Sequence, residues 1–323
     1  MREITYREAI REALAEEMRG NKSVFLLGED IGVYGGVYSV TKGLLEEFGP
    51  ERVLDAPLSE AVIAGAGMGA AMIGTRPVVE IMYVDFITFA MDQIVNQAAK
   101  ARYMSGGNVK VSMVVRTQGG AGRSTAAQHS QSLEAWFMHT PGLRVVMPST
   151  PYDVKGLLKT SIRDDNPVIF IEHKLLYNTK GEVPEKEYTL PLGRASIKRQ
   201  GDDVTLVAYS RQVLFALEAA TELANEGIRA EVIDLRTLAP LDLDTIVTSV
   251  KKTGRVIVCE EDCKTGGVGG EICAKIIENA FDYLDAPVIR VAAKDIPVPY
   301  ARILEAATIP DKDNIIKAVK KII

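Results

Sequence analysis

The pattern of apolar and polar positions predicts that the chain begins with a helix followed by a strand. Thr5 and Glu8 have the spacing of a capping box, and the apolar positions from Ala9 to Met18 repeat with a helical period. Gly20 ends this predicted helix. The continuous apolar run at residues 24–27 then predicts a buried strand.

More strand-like runs follow, and helical patterns separate them. The predicted strands are residues 77–81, 109–116, 145–148 and 168–171. Three helices are predicted: one begins at Ser59, one spans residues 87–104, and one begins at Pro151. Proline suits the first turn of a helix. The strand runs are continuously apolar, which is typical of parallel strands covered on both faces. This part of the chain is therefore expected to be a doubly wound α/β domain.

A polar, turn-rich stretch at residues 175–193 interrupts the alternation and predicts a domain boundary. We expect a first domain at residues 1–180, a linker at 181–195 and a second α/β domain at 196–323. The predicted elements of the second domain are strands 204–208, 230–235, 256–260 and 287–291, helix 211–226 and a basic helix at 313–322.

Composition restricts the class of protein. Hydrophobic residues make up 47% and charged residues 25%, and the net charge is −5 with mixed signs, which gives no basic face for nucleic acid. No apolar run approaches the roughly 18–20 residues that span a bilayer. The N-terminal segment lacks the apolar core of a signal peptide. The three cysteines form no CxxC pair. We expect a reduced, cytoplasmic protein.

Two glycine-rich segments imitate nucleotide or anion sites. Residues 65–70 fit G-x-G-x-x-A, but they lie within the helix predicted from Ser59, whereas a dinucleotide fingerprint begins its helix at the glycines. Close helix packing is the favoured interpretation. Residues 266–270 follow a strand and precede a helix, yet no lysine or serine of a phosphate loop follows them. A tight turn is favoured there.

Glu60 and His129 are the candidates for residues that take part in chemistry. A glutamate in a first helical turn often only favours the positive helix end, but Glu60 also follows the carboxyl edge of a predicted parallel strand. Buried among apolar groups, it could exchange a proton with a ligand nitrogen. His129 lies in a polar loop, where a structural role remains the alternative; His139 and His173 have no comparable setting. The histidine spacing excludes an ordinary zinc site.

Five segments carry a resemblance to a known family. Residues 55–61, 80–107, 126–137, 141–170 and 297–305 resemble beta subunits of thiamine-diphosphate-dependent pyruvate, branched-chain and acetoin dehydrogenases. The resemblance covers essentially the whole chain. It implies a pyrimidine-binding thiamine diphosphate domain followed by a domain like the transketolase C-terminal domain.

The resemblance implies that this chain forms only half of a cofactor site. In the family, the alpha subunit holds Mg²⁺ and the diphosphate through a G-D-G…N motif. Residues 201–203 are the nearest imitation here, but they lack the second glycine and precede their strand. The chain is therefore expected to act only with an alpha subunit, in a heterotetramer of two alpha and two beta chains.

The family's functional residues match particular positions. Glu60 matches the glutamate that bonds a ring nitrogen of the aminopyrimidine, and Glu29 matches an acid in a proton relay between active sites. His129 matches a histidine that assists transfer to the lipoyl group. The resemblance implies that the ring packs against Leu58, Met82 and Phe86. It also implies a monovalent cation, expected to be potassium, at Met113, Ser161, Asp164 and Asn166.

The implied reaction is decarboxylation of a 2-oxo acid, followed by reductive acylation of the lipoyl group of an acyltransferase core. Residues 297–305 resemble pyruvate-type subunits, whereas residues 171–185 resemble acetoin-type subunits. A pyruvate dehydrogenase-like activity is the main prediction; acetoin and branched-chain substrates are the alternatives. Asp282 and Asp285 are candidates for docking the acyltransferase's basic binding domain. A scaffold that has lost the chemistry is disfavoured because the matched site residues are intact.

Overall fold

The computed structural model describes residues 1–323 and divides them into two compact units. The first unit comprises residues 1–119 and 136–192. The second comprises residues 120–135 and 193–323. The division near residue 192 is close to the expected boundary, but the assignment of residues 120–135 to the second unit was not predicted from the sequence.

The first unit alternates strands and helices. Its strands are β1 (Arg2–Thr5), β2 (Val24–Gly28), β3 (Val53–Asp55), β4 (Arg76–Ile81), β5 (Val114–Gly119), β6 (Arg144–Val146), β7 (Val168–His173) and β8 (Lys180–Val183). Its helices are α1 (Tyr6–Gly20), α2 (Leu44–Phe48), α3 (Glu60–Met72), α4 (Ala99–Met104) and α6 (Pro151–Arg163). Helix α5 (Glu134–Met138) begins at the end of the loop assigned to the second unit.

A parallel sheet organises the first unit. Within this unit β6, β7, β5, β4, β2 and β3 pair in that order, and every pair is parallel. Burial of β4, β5 and β7 along nearly their whole length explains the apolar runs at residues 78–79, 114–115 and 168–171. The register aligns Gly28 with both Asp55 and Glu80, so β2, β3 and β4 end at one edge of the sheet.

Local signals at the first helix are confirmed. Thr5 is the N-cap of α1, and its reciprocal bonds with Glu8 form the predicted capping box. The strand β1, which precedes the cap, was not predicted. It pairs antiparallel with β8, whose residues fall in the expected linker. Leu190 further bonds back to Gly156 within the first unit. The linker prediction is therefore wrong for residues 181–192, which pack as part of the first unit.

Two other predicted elements differ in the structure. The single helix expected at 87–104 is a 3₁₀ segment (Phe86–Ala90), a π segment (Asp92–Ala98) and then α4. Segments of this kind are frequent near functional sites. The strand expected at 109–116 begins only at Val114 and continues to Gly119. Val111 and Met113 are buried, so the apolar run was correctly assigned to the core although its first residues join no strand.

The second unit contains a smaller sheet. The strands of the second unit are β9 (Ser196–Arg199), β10 (Val204–Ala208), β11 (Ala230–Asp234), β12 (Thr237–Ala239), β13 (Val256–Cys263) and β14 (Ile289–Ala293), and all except β12 form this sheet. Its helices are α7 (Gln212–Asn225), α8 (Leu243–Thr253), α9 (Val268–Ala280), α10 (Arg302–Ala306) and α11 (Lys312–Val319). A 3₁₀ segment, Phe281–Tyr283, follows α9. The order is β14, β13, β10, β11 and β9, in which only β9 pairs antiparallel.

The core of the second unit lies between this sheet and two helices. Apolar side chains of α7 and α11 pack against β10, β11 and β13. Val213, Ala216 and Leu223 keep the helical spacing that the sequence showed, and all three are fully buried. None of the helices in the chain is both long and apolar enough to cross a membrane. Both units thus have the predicted α/β class, each with its own sheet and core.

Candidate functional site

Four of the predicted site residues of the first unit follow strands that end at one sheet edge. Glu29 comes directly after β2, and Glu60 begins α3 after β3. Met82 and Phe86 follow β4. Ligands of parallel α/β sheets bind beyond the carboxyl ends of the strands, because the loops and helix N-termini meet there. The structure therefore places these residues where the sequence predicted a site.

Glu60 is the first residue of α3, and its carboxylate makes no hydrogen bond and no ion pair. The side chain is half-buried, so the expectation of full burial is wrong for this chain by itself. The helix N-terminus favours a negative charge at this position. An unpaired carboxylate at a sheet edge has its oxygens available to a ligand. Glu60 can therefore accept a hydrogen bond from, or donate a proton to, a bound group.

Glu29 is electrostatically linked to Glu60. Burial raises the pKa of the Glu29 carboxyl above its usual value, and the nearby charges of Asp30 and Glu60 raise it further. A like charge raises a carboxyl pKa only at short range, so the structure brings Glu29 and Glu60 together. Neither carboxylate has a cationic partner. The two acids therefore form a negatively charged pair at this edge of the sheet.

Apolar side chains stand beside these acids. The rings of Phe86 and Phe89 are stacked, with centroids 6.4 Å apart and an interplanar angle of 12°. Phe86 and Met82 are half-buried, whereas Leu58 is 74% and Phe89 66% exposed. Exposed large apolar groups are typical of a ligand or protein contact. Leu58 follows β3, and Phe86 and Phe89 follow β4, so they lie after the same strand ends as the two acids.

A buried polar network under the sheet edge was missed in the sequence. Arg116 is 1% exposed and joins Glu80, at 2.7 Å, to Glu172, at 2.6 Å. Gln118 donates to the other oxygen of Glu80, and Tyr177 donates to Glu172. The only sequence signal was a set of polar residues within otherwise apolar strands. The network fixes β4, β5 and β7 relative to one another beneath the candidate site.

Asp55 holds the loop after β2. Its carboxylate accepts hydrogen bonds from the backbone N–H groups of Gly32, at 2.7 Å, and Val33, at 3.4 Å. A Cβ atom on Gly32 would meet this carboxylate at 2.6 Å, so only glycine fits there. Asp55 belongs to the same segment as Glu60, residues 55–61, but its carboxylate oxygens are already bonded to backbone N–H groups. The loop that begins with Glu29 is thereby fixed against β3.

His129 lies in the second unit, at the end of a 3₁₀ turn (Ala127–His129). It is half-buried, its amide donates to Ala126 O, and its carbonyl accepts from Thr125 Oγ1 at 3.0 Å. His139 is exposed, and His173 is buried with Nδ1 accepting from Leu175 N. Of the three histidines, His129 alone is placed on an irregular polar loop, as the sequence indicated.

The predicted cation ligands lie together, but their side-chain oxygens are already engaged. Asp164 Oδ1 accepts from the amide and side chain of Asn166, and Asn166 Oδ1 accepts from Arg102 at 2.7 Å. The Ser161 hydroxyl donates to Leu157 O. Ser161 O also accepts from Asp164 N. A cation here would therefore depend on backbone oxygens, and the side chains alone do not form its site.

The glycine-rich segments have structural roles. Gly67 lies inside α3, where a Cβ atom would meet Val79 at 2.5 Å and Met113 at 3.0 Å, which supports close packing. Gly269 N donates to Glu260 at 2.6 Å. The protein's own carboxylate thus occupies the amides at the start of α9, as a structural turn requires. Neither segment presents a nucleotide-binding loop.

Residues 201–203 also have a structural role, because they bond to and pack against the segment around Arg229. Asp203 accepts a hydrogen bond from Arg229 N at 2.7 Å, and Asp202 pairs with the Arg229 guanidinium at 3.0 Å. A Cβ atom on Gly201 would meet the backbone of residues 229–231 at 2.3–2.5 Å. The segment leads into β10 and packs tightly against the chain before β11. It offers no cradle for a diphosphate.

Comparison with known proteins identifies the class and then the family. Residues 2–180 match the family "Transketolase, pyrimidine binding domain", and residues 193–315 match "Transketolase, C-terminal domain". A solved "Split gene transketolase, inactive beta4 tetramer" has a TM-score of 0.82 and 25% identity over 99% of this chain and 98% of that one. The fold of both units is thus that of the transketolase-like proteins.

Curated relatives are more specific. The chain is 51% identical over 323 residues to "Pyruvate dehydrogenase E1 component subunit beta" of Gracilaria tenuistipitata var. liui, covering 100% of both chains. It is 50% identical over 323 residues to the protein of that name in Rhizobium meliloti (strain 1021), covering 100% of this chain and 70% of that protein. The chain belongs to the family of pyruvate dehydrogenase E1 component beta subunits.

Proposed function

We propose that this chain is the beta subunit of a pyruvate dehydrogenase-like component that decarboxylates a 2-oxo acid with thiamine diphosphate and acylates a lipoyl group. The observation that carries the proposal is the unpaired carboxylate of Glu60, which is half-buried at the sheet edge and close enough to Glu29 to raise the pKa of that carboxyl. The family membership and the pyruvate-type names of the relatives support pyruvate over acetoin and branched-chain substrates.

The residues at the sheet edge fit an aminopyrimidine ring. Glu60 would hold a proton against a ring nitrogen, because its carboxylate has no protein partner to satisfy. Phe86 presents a ring face, and Met82 and Leu58 supply further apolar contact. When bound, thiamine diphosphate supplies a nucleophilic carbon and an electron sink for cleavage beside a carbonyl. Exclusion of water by the apolar side chains would strengthen the Glu60 hydrogen bond.

Glu29 would support the proton held at Glu60. Its pKa is raised by burial and by the charges of Asp30 and Glu60, so it can share a proton within the pair. This arrangement supports the role of a relay acid that the family resemblance implies. His129 would assist transfer to the lipoyl group from the loop of the second unit. General acid–base assistance by a positioned histidine is typically worth 10²–10⁴-fold in rate.

The partner chain would be an alpha subunit that holds Mg²⁺ and the diphosphate, in a heterotetramer of two alpha and two beta chains. Exposed apolar side chains on the first unit support such a partner, since Leu58, Val62 and Phe89 are 74%, 63% and 66% exposed. A lipoyl acyltransferase core would be the second partner. Potassium bound by backbone oxygens near Ser161 and a cytoplasmic location, consistent with three free cysteines, complete the proposal.

Thiamine diphosphate binding tests this function. The chain alone should bind the cofactor weakly or not at all in titration calorimetry with Mg²⁺, because it offers no diphosphate cradle. The chain assembled with its alpha subunit should bind the cofactor and decarboxylate pyruvate with an artificial electron acceptor. Tight binding by the chain alone, or an assembled complex inactive on every 2-oxo acid and on acetoin, would overturn the proposal.

A further inference from the structure

We propose that Glu305 is a positioning residue for the reaction: its carboxylate fixes the backbone of the loop that carries His129. The inference deepens the proposed function and rests on it, because it assigns Glu305 to the lipoyl-transfer step. Residues 120–135 follow β5 in sequence but belong structurally to the second unit. Glu305 supplies contacts that hold them there.

The Glu305 carboxylate is enclosed by donors from this loop. Its Oε1 accepts from Gly122 N at 2.7 Å, and its Oε2 accepts from Ser124 N at 2.9 Å and from Ser124 Oγ at 3.3 Å. Glu305 is only 2% exposed, although it lies in the short helix α10. Backbone amides that converge on a carboxylate form charge-assisted hydrogen bonds, which are stronger than neutral ones. The loop amides therefore depend on this one side chain.

The loop conformation is one that local sequence does not favour. Gly122 has φ +103°, Ser124 has φ +55° and Ala126 has φ +63°. Left-handed backbone at serine and alanine is costly and persists only where the surroundings impose it. The carboxylate of Glu305 is the group that can impose it at Ser124, because it accepts from both the amide and the hydroxyl of that residue. Without this carboxylate, the amides of Gly122 and Ser124 would lose their acceptor and the segment would relax.

A continuous series of bonds connects Glu305 to His129. Ser124, held by Glu305, precedes Thr125, whose hydroxyl donates to the His129 carbonyl at 3.0 Å. The His129 amide in turn donates to Ala126 O at 3.3 Å. Displacement at residue 124 therefore reaches the backbone of His129 within five residues. A shift of about 1 Å in a group that must meet a substrate can reduce a rate by about 10²-fold.

A second carboxylate holds the start of the loop and makes the role of Glu305 separable. Glu261 Oε1 accepts from Ala121 N at 2.7 Å, and Gly120 N donates to Gln131 O at 3.0 Å, which closes the loop at its base. These contacts fix residues 120 and 121 without Glu305. Loss of the Glu305 carboxylate should thus free residues 122–129 and leave the base of the loop in place.

The test compares Glu305→Gln, His129→Ala and the double variant in the complex with the alpha subunit. The glutamine amide nitrogen cannot accept a hydrogen bond, so it faces one of the two loop N–H groups as a second donor. Glu305→Gln should reduce overall, lipoyl-dependent activity about 10- to 100-fold and reduce artificial-acceptor activity by a smaller factor. In the His129→Ala background, Glu305→Gln should add less than about twofold, because the two residues act through one group.

Hydrogen exchange of the loop supplies a readout that is independent of activity. Amides 122–129 should exchange at least about tenfold faster in Glu305→Gln, while the strands of both sheets keep their protection. Glu271→Gln is the matched control, because Glu271 is an exposed glutamate of the same unit that pairs only with Lys275, at 3.0 Å. If Glu305→Gln does not assemble, Glu305→Asp keeps the charge and should give a smaller change in the same direction.

The possible failures are distinguishable. Unchanged loop exchange in the Glu305 variants, or losses from Glu305→Gln and His129→Ala that multiply in the double variant, would overturn the positioning role. Equal loss in the lipoyl-dependent and artificial-acceptor assays would also overturn it and give Glu305 a purely structural role. A wild-type complex without thiamine-dependent activity would instead overturn the proposed function, whatever the loop exchange shows.

Discussion

The carboxylates of this protein differ in whether backbone N–H groups already bind them. Asp55, Glu260 and Glu305 each accept bonds from backbone N–H groups. Glu60 has no such donor, although it lies at the positive end of α3. Since half-buried charge is costly without partners, an unpaired carboxylate at a sheet edge is a candidate for pairing by a ligand. The sequence alone shows that these four residues are acids but does not show their partners.

Glu60→Gln tests this distinction at the residue scale. The amide keeps size and polarity but cannot exchange a proton, so turnover with the artificial acceptor should fall on the order of a hundredfold or more. Assembly with the alpha subunit should be retained, as measured by size-exclusion chromatography. Glu46→Gln is the control, because Glu46 is an exposed glutamate of the same unit. Near-normal turnover in an assembled Glu60→Gln complex would show that another acid holds the proton.

Strand β13 is longer than its apolar sequence pattern predicts. The apolar run predicted an end at Glu260, but the strand continues to Cys263 with Glu260, Glu261 and Asp262 buried. Glu260 is paired with Arg290 at 2.6 Å, and Glu261 holds the loop at Ala121. Burial raises the pKa of Asp262 to about 7, with a further contribution from the charge of Glu260.

The raised pKa of Asp262 predicts a pH-dependent stability. Between its ordinary pKa and about 7, the folded chain binds a proton that the unfolded chain has lost. Its contribution to stability is therefore fully present only below the ordinary value of 3.8 and is lost progressively as pH rises from there to about 7. Burial and the nearby Asp262 charge also raise the pKa of Glu134, and Arg290 opposes the shift at Asp262.

Asp262→Asn should remove this dependence. The amide oxygen can still accept from Cys263 N, as Asp262 does at 2.7 Å, but no proton is bound or released. Free energies of unfolding from urea titrations should show that the variant is stabilised relative to the wild type more at pH 8 than at pH 5. The difference should be at most about 2.7 kcal/mol, because about two units of the pKa shift lie between pH 5 and about 7. The same difference at both pH values would contradict the assignment. Asp244→Asn, at an exposed acid of the same unit, is the control.

At the scale of the whole molecule, the chain presents two kinds of surface. The first unit exposes apolar side chains near its candidate site, including Leu58 and Phe89. The second unit has an open groove of about 920 Å³ that is lined by apolar side chains and by Asp282, Asp285 and Lys264. Phe281 is 67% exposed at this groove. Two cations, Lys264 and Arg290, also line the groove, and Arg290 is paired with Glu260. The exposed Asp282 and Asp285 therefore remain the predicted contacts for a basic binding domain, the partner expected from the family resemblance.

Charge reversal tests docking at this groove. Asp282→Lys with Asp285→Lys should weaken capture by the acyltransferase at least about tenfold at low salt and reduce the salt dependence of binding. Both aspartates are exposed, so alpha–beta assembly and artificial-acceptor activity should be retained. Glu185→Lys with Glu218→Lys changes the net charge equally at exposed positions elsewhere. Unchanged affinity and salt dependence would place the docking surface on another face.

Local signals in the sequence predicted most of the elements. The capping box at Thr5 and Glu8, the strand at Val204–Ala208 and the helix at Gln212–Asn225 agree with the prediction within one residue at either end. Periodicity and caps act over a few residues, so they can be recognised without the rest of the fold. The prediction of a single α-helix at 87–104 was wrong, because the structure has 3₁₀ and π segments before a short α-helix. The apolar pattern does not distinguish these helix types.

The sequence by itself determined the α/β class, the two-unit organisation and, through its long family motifs, the positions of Glu29, Glu60, Phe86 and His129. Only the tertiary structure decided that residues 120–135 belong to the second unit, that Arg116 joins Glu80 and Glu172, and that Glu305 holds Gly122 and Ser124. Glu305 and Ser124 are 181 residues apart in the chain. Contacts at such separations leave no periodic trace in the sequence, because each depends on how two distant segments pack.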